Sequence, residues 1–103
     1  MKRCLLDSSL LVDRFNEYAN GRVGPAVTWL QKNPRAELWI SPVTYAEVME
    51  GAAVPALVRE RLYRYRWQSI GHPQAERAAT RQRRAQRRMG ENDAWQVAIA
   101  DCM

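Results

Sequence analysis

Residues 37–47 read Glu37-Leu38-Trp39-Ile40-Ser41-Pro42-Val43-Thr44-Tyr45-Ala46-Glu47. Leu38 to Ile40 form a short apolar run of the kind that makes a buried strand. Ser41 then offers a helix N-cap, with Pro42 at the first helical position, where its missing N–H costs nothing. A buried strand that turns at once into a capped helix is the repeating unit of α/β proteins.

The same grammar occurs upstream. Cys4-Leu5-Leu6 is apolar and meets Asp7-Ser8-Ser9, so a strand breaks into a helix with Asp7 at the junction. Leu10, Leu11, Phe15, Tyr18 and Ala19 recur at helical spacing until the Asn20-Gly21 stop signal. A second helix is expected from Gly24 to Asn33. Downstream, Pro55 opens a helix to about Tyr65, and Trp67 to Ile70 are read as a strand ended by Gly71-His72-Pro73. One long helix with a narrow apolar seam is predicted from Gln74 to Met89. After the Gly90 stop comes a final helix from Ala94 to Cys102, opened by Glu91-Asn92-Asp93 and apolar on most sides. Strands alternating with helices predict a parallel sheet in an α/β domain that spans residues 1–103 without a linker.

The chain has 103 residues, 47% of them hydrophobic, enough for one core and not for two. Sixteen Lys and Arg against 11 Asp and Glu give a formal charge of +5, which favours a polyanionic partner. No apolar run approaches the roughly 20 residues of a membrane span, and the start lacks a signal-peptide pattern, so a cytoplasmic protein is expected. Cys4 and Cys102 fit a reducing compartment and are read as small buried hydrophobes. Trp29, Trp39, Trp67 and Trp95 are assigned to the core, and His72 to a turn rather than to general-base chemistry.

Ligands of open parallel sheets bind beyond the carboxyl ends of the strands. Asp7 follows the first strand, Glu47 lies inside the helix after the second, and Asp93 opens the last helix. Converging carboxylates repel, and a hard divalent cation relieves the repulsion through oxygen coordination. Such a cation polarises a phosphoryl oxygen and acidifies a bound water. Each acid also has a plainer reading: Asp7 as an N-cap, Glu47 as a solvated helix residue, and Asp93 as a charge favoured by its helix dipole.

Three strings, Leu5-Leu6-Asp7-Ser8-Ser9-Leu10-Leu11-Val12-Asp13, Ile40-Ser41-Pro42-Val43-Thr44-Tyr45-Ala46-Glu47-Val48 and Gly90-Glu91-Asn92-Asp93-Ala94-Trp95-Gln96-Val97-Ala98-Ile99-Ala100, resemble in order and spacing the opening motifs of PIN domains. That is the ribonuclease fold of VapC-type toxins in toxin-antitoxin pairs. The resemblance implies a three-layer α/β/α domain with a short parallel sheet and an endoribonuclease activity dependent on Mg²⁺ or Mn²⁺. Asp7, Glu47 and Asp93 would be its catalytic and metal-binding residues, with Ser8, Thr44 and Asn92 in support. It further implies an RNA substrate, a VapB-like antitoxin and a homodimer. Ser9 stands where the family more often has asparagine. The family continues past this point into a further strand and a last acidic residue, whose loss would leave the first strand at a sheet edge, so either a truncated or frameshifted form is expected or a neighbouring copy that covers that edge. A catalytically inactive module that binds antitoxin or RNA is the alternative.

Arg77, Arg81, Arg84 and Arg88 fall on one stripe of the predicted long helix, and either RNA phosphate or acidic partner residues would suit them. A phosphatase of the haloacid-dehalogenase type wants a second Asp two residues after the first, and position 9 is serine.

Overall fold

A computed structural model describes residues 2–85 and 87–103, and of residues 91 and 92 the backbone only. The fold is mixed α/β. Strand β1 (Arg3–Leu5) leads through helices α1 (Ser8–Ala19) and α2 (Pro25–Lys32) to β2 (Glu37–Ile40). Helices α3 (Pro42–Glu50) and α4 (Pro55–Leu62) lead to β3 (Arg66–Trp67), and α5 (His72–Arg84) and α6 (Glu91–Asp101) follow.

The strands pair in the order β1-β2-β3, both pairs parallel, with Cys4 opposite Leu38 and Ile40 opposite Trp67. Each crossover carries two helices, the length a parallel connection needs. Single backbone bonds extend the ladders past the strands, from Leu6 N–H to the Trp39 carbonyl and from Gln68 N–H to the Ile40 carbonyl, both 2.8 Å. With β2 central, β1 stands at an edge of this sheet.

Leu6, Leu11, Ile40, Val48 and Leu62 form the buried cluster over the sheet, and Phe15, Trp29, Tyr45 and Val58 pack against it. Ala78, Ala94, Ala98 and Ile99 are buried where α5 meets α6. Small residues on both helices let the backbones approach closely.

Several boundaries differ from the sequence reading. β3 stops at Trp67, short of Ile70, because β2 ends at Ile40 and offers Ser69 and Ile70 no partner. α4 ends at Leu62, three residues before Tyr65, as the chain turns back to enter the sheet. The long helix begins earlier and ends sooner than expected, at His72 and Arg84 instead of Gln74 and Met89. Its end has a visible cause: the Gln82 side chain accepts from Met89 N–H and donates to Met89 C=O, both at 3.0 Å. That amide satisfies the backbone of Met89 off the helix, while Ala85 turns extended (ψ 133°). His72, read as a turn residue, is the first residue of α5.

The cysteines are not buried: Cys4 is half-buried and Cys102 exposed. Nor is any of the four tryptophans fully enclosed. Trp67 is 48% exposed and meets Tyr45 edge to face, with ring centroids 5.6 Å apart.

Candidate active site at the carboxyl end of the sheet

Where β1 ends, Asp7 adopts an extended backbone (φ −92°, ψ 168°), and its carboxylate Oδ1 accepts the Leu10 N–H at 2.9 Å. The plainer sequence reading is therefore realised, since Asp7 caps α1 and is exposed. A cap uses one carboxylate oxygen, and a ligand role would use the other. Ser8, half-buried, is the first residue of α1.

Where β2 ends, Ser41 caps α3 through its hydroxyl, which accepts the Thr44 N–H at 3.3 Å, with Pro42 opening the helix as expected. Ser41 and Thr44 are both fully buried. Thr44 Oγ1 donates to the Leu6 carbonyl at 3.0 Å, which ties α3 to the end of β1.

Gln96 closes this arrangement from α6. Its Nε2 donates to Thr44 Oγ1 at 2.7 Å and to the Leu6 carbonyl at 3.2 Å, while its Oε1 accepts the Ser41 hydroxyl at 2.8 Å. Three segments distant in sequence are thus clamped around one amide. The partners also fix its orientation, because a carbonyl can only accept and so must face the Nε2 end. Sequence reading passed over Gln96, although a lone amide within Ala94-Trp95-Gln96-Val97-Ala98 was a visible signal. A buried polar group in an apolar helix has to find partners.

Each predicted acid lies next to one arm of this clamp. Asp7 directly follows Leu6, Glu47 is one helical turn beyond Thr44, and Asp93 is one turn before Gln96. All three are exposed. A carboxylate oxygen of Asp93 lies 3.3 Å from where a β-carbon on Gly90 would stand, so this side chain turns back over the start of α6. The backbone brings the three acid-bearing segments to one junction. The side chains are not gathered: among the described residues, no group of three or more His, Cys, Asp or Glu side chains is placed to hold a metal ion. Asn92 was also expected here, but its side chain lies outside the described residues.

The arginine stripe is shorter than expected. Arg77, Arg81 and Arg84 lie on α5, whereas Arg88 falls beyond its end, after the turn that Gln82 imposes. Arg81 is paired with Asp101 of α6 through two guanidinium nitrogens.

One carboxylate escaped the sequence reading altogether. Glu17, 1% exposed, reaches from α1 to the start of α2. Its oxygens accept from Ala26 N–H at 3.2 Å, from Val27 N–H at 3.1 Å, and from Gly24 N–H. Burial pushes its carboxyl up, but the N–H groups of Val27, Gly24 and Ala26, with Arg22, outweigh burial and hold the pKa below the ordinary glutamate value. Glu17 therefore serves a helix start and is no part of the acidic junction.

Among the described residues no helix is long and apolar enough to cross a membrane. No protein-family model, curated protein or solved structure matches the chain.

Proposed function

We propose that the protein is a PIN-like, metal-dependent endoribonuclease of the VapC kind, with Asp7, Glu47 and Asp93 as its acidic residues. The observation that carries this reading is the Gln96 clamp. It anchors the ends of β1 and β2 and the start of α6 to one another, so the three acids arise from neighbouring points of a fixed frame. A site built on ends of strands and helices holds its geometry better than one built on loops.

The donor set consists only of carboxylates, which suits Mg²⁺ or Mn²⁺ over softer metals. The placement of the side chains fits a cation less well, since no group of three is formed among the described residues. Occupancy would require Glu47 and Asp93 to turn inward, and both are exposed and attached to anchored backbone. The metal would supply Lewis-acid activation of a phosphodiester and of water. This chain contributes the anchoring: Thr44 and Ser41 fix the helix that bears Glu47, and the cap at Leu10 N–H fixes Asp7. A cytoplasmic location, a homodimer and a VapB-like antitoxin belong to the same proposal.

A second reading, the inactive binding module, is favoured by the roles that two of the acids already have, Asp7 as a cap and Asp93 turned over Gly90. Cleavage of single-stranded RNA with Mn²⁺, by the wild type and by Asp7→Asn and Glu47→Gln, separates the two. The nuclease reading predicts cleavage by the wild type and a loss of at least about a hundredfold in each variant, the scale of a lost catalytic group. RNA left intact by the wild type, with Mn²⁺ bound weakly or not at all, selects the binding module. Equal cleavage by all three proteins rejects these acids.

A further inference from the structure

A cavity of about 820 Å³ opens at the pole opposite the acidic junction, among the residues that enter β2 and β3, the later part of α1, and α4. Its volume is in the range of small-molecule sites. Arg14, Arg35, Arg61, Arg64 and Arg66 line it, against the carboxylates of Glu37 and Glu60 alone. Arg66 lies 3.8 Å from Glu37, whereas among the described residues Arg14, Arg35, Arg61 and Arg64 are in no salt bridge. Positive charge concentrated around a concavity repels itself and attracts an anion.

Aromatic rings of Phe15, Tyr18 and Tyr65 lie between these charges. The Arg61 guanidinium sits 4.4 Å from the centre of the Tyr18 ring, which holds that planar group in place. Tyr65 is partly buried between α1 and the sheet entrance, within the field of Arg14 and Arg64. Guanidinium forks suit phosphate oxygens, and flat rings beside them suit a base. Phe15 and Tyr65 also pack against the core cluster, whereas Tyr18, 69% exposed, presents its ring to a ligand, a feature that an acidic peptide would not need.

We propose that this cavity binds a nucleotide, with its phosphates on the arginines and its base against the aromatic rings. The nucleotide is either free or part of a single strand. The site is separate from the acidic junction and does not depend on the nuclease reading.

Calorimetry on the full chain, in EDTA so that no metal-dependent cleavage intervenes, tests it with three probes: ATP, a short single-stranded oligouridylate and inorganic pyrophosphate. The expected result is that ATP or the oligonucleotide binds more tightly than pyrophosphate. Tighter binding of ATP identifies a free nucleotide, and tighter binding of the oligomer identifies a strand. Arg64→Gln and Arg61→Gln should each weaken binding about tenfold or more, the scale of one lost charge-assisted hydrogen bond. Arg59→Gln, on α4 but not among the residues that line the cavity, should leave it unchanged; Arg64 and Arg59 are both exposed, so neither change threatens the fold. Absence of binding by both nucleotide probes overturns the proposal. So does pyrophosphate binding as tightly as they do, or Arg59→Gln weakening them as much as Arg64→Gln.

Discussion

Gln96 donates its amide to the Thr44 hydroxyl at 2.7 Å across 52 residues of sequence, and the same nitrogen reaches the carbonyl of Leu6. This contact carries most of what is specific about the carboxyl end of the sheet. Without it α6 would rest on α5 and α3 through small apolar residues, which set a distance but no register.

Replacing Gln96 therefore tests the clamp as a unit. In Gln96→Ala the Ser41 hydroxyl loses its acceptor and Thr44 Oγ1 loses a donor, in a place where water has little access. Groups left unpaired on burial cost about 1–3 kcal/mol, so a loss of that size in urea denaturation is expected. Gln96→Glu keeps an acceptor for Ser41 but loses the donor to Leu6 and Thr44, and should be destabilised at neutral pH as well. A midpoint unchanged by either substitution would show that the clamp does not hold the helices.

Asp7 carries two roles that can be separated. Asn is as good an N-cap as Asp, while Ala cannot cap and costs about 0.5–2 kcal/mol. Asp7→Asn should therefore melt with the wild type and Asp7→Ala below it. Under the nuclease reading both lose activity alike. Activity that follows the melting temperature, retained in Asn and lost in Ala, would mean that the cap alone matters.

Glu17 and Gly24 form a coupled pair. A β-carbon on Gly24 would stand 2.7 Å from the Glu17 carboxyl carbon, so Gly24→Ala forces the carboxylate off the start of α2. Overpacking of this kind costs about 1–3 kcal/mol, and in a Glu17→Ala background most of that cost should vanish. The same carboxylate gives a pH signature. Its folded pKa lies below the unfolded one, so its contribution is full above the ordinary glutamate range of about 4.3 and is lost as pH falls through the lower folded value. The difference in urea midpoint between wild type and Glu17→Gln should be largest at pH 7 and shrink towards zero in acid. A difference independent of pH would contradict the charged cap.

The sequence made the alternation of strands and helices legible because its signals are local. Ser41-Pro42 and Asp7-Ser8 mark helix starts within a few residues, and the structure has caps at both. What escaped depended on side chains reaching further. Gln82 ends α5 by bonding Met89 although Ala85 and Met89 continue the apolar spacing, and this carries Arg88 off the stripe. Glu17 reads as an ordinary charge on α1 until α2 folds back against it. Cys102 and Trp67 look like core by composition, yet Cys102 caps the exposed end of α6 and Trp67 stands on the edge strand β3. For the acids, the backbone positions at element ends were readable. The directions of their side chains were not, because exposed carboxylates on anchored helices take their final rotamers from whatever they bind.

The central claim is that Asp7, Glu47 and Asp93 answer to one cation, and paramagnetic broadening by Mn²⁺ in the amide NMR spectrum addresses it directly. In a substoichiometric titration the signals of Asp7, Ser8, Glu47, Asp93 and Ala94 should fade together along one saturable curve, and Asp7→Asn should abolish the effect. Fading of only one of these segments, or equal fading at exposed acids on other elements such as Glu60 and Glu76, would contradict it.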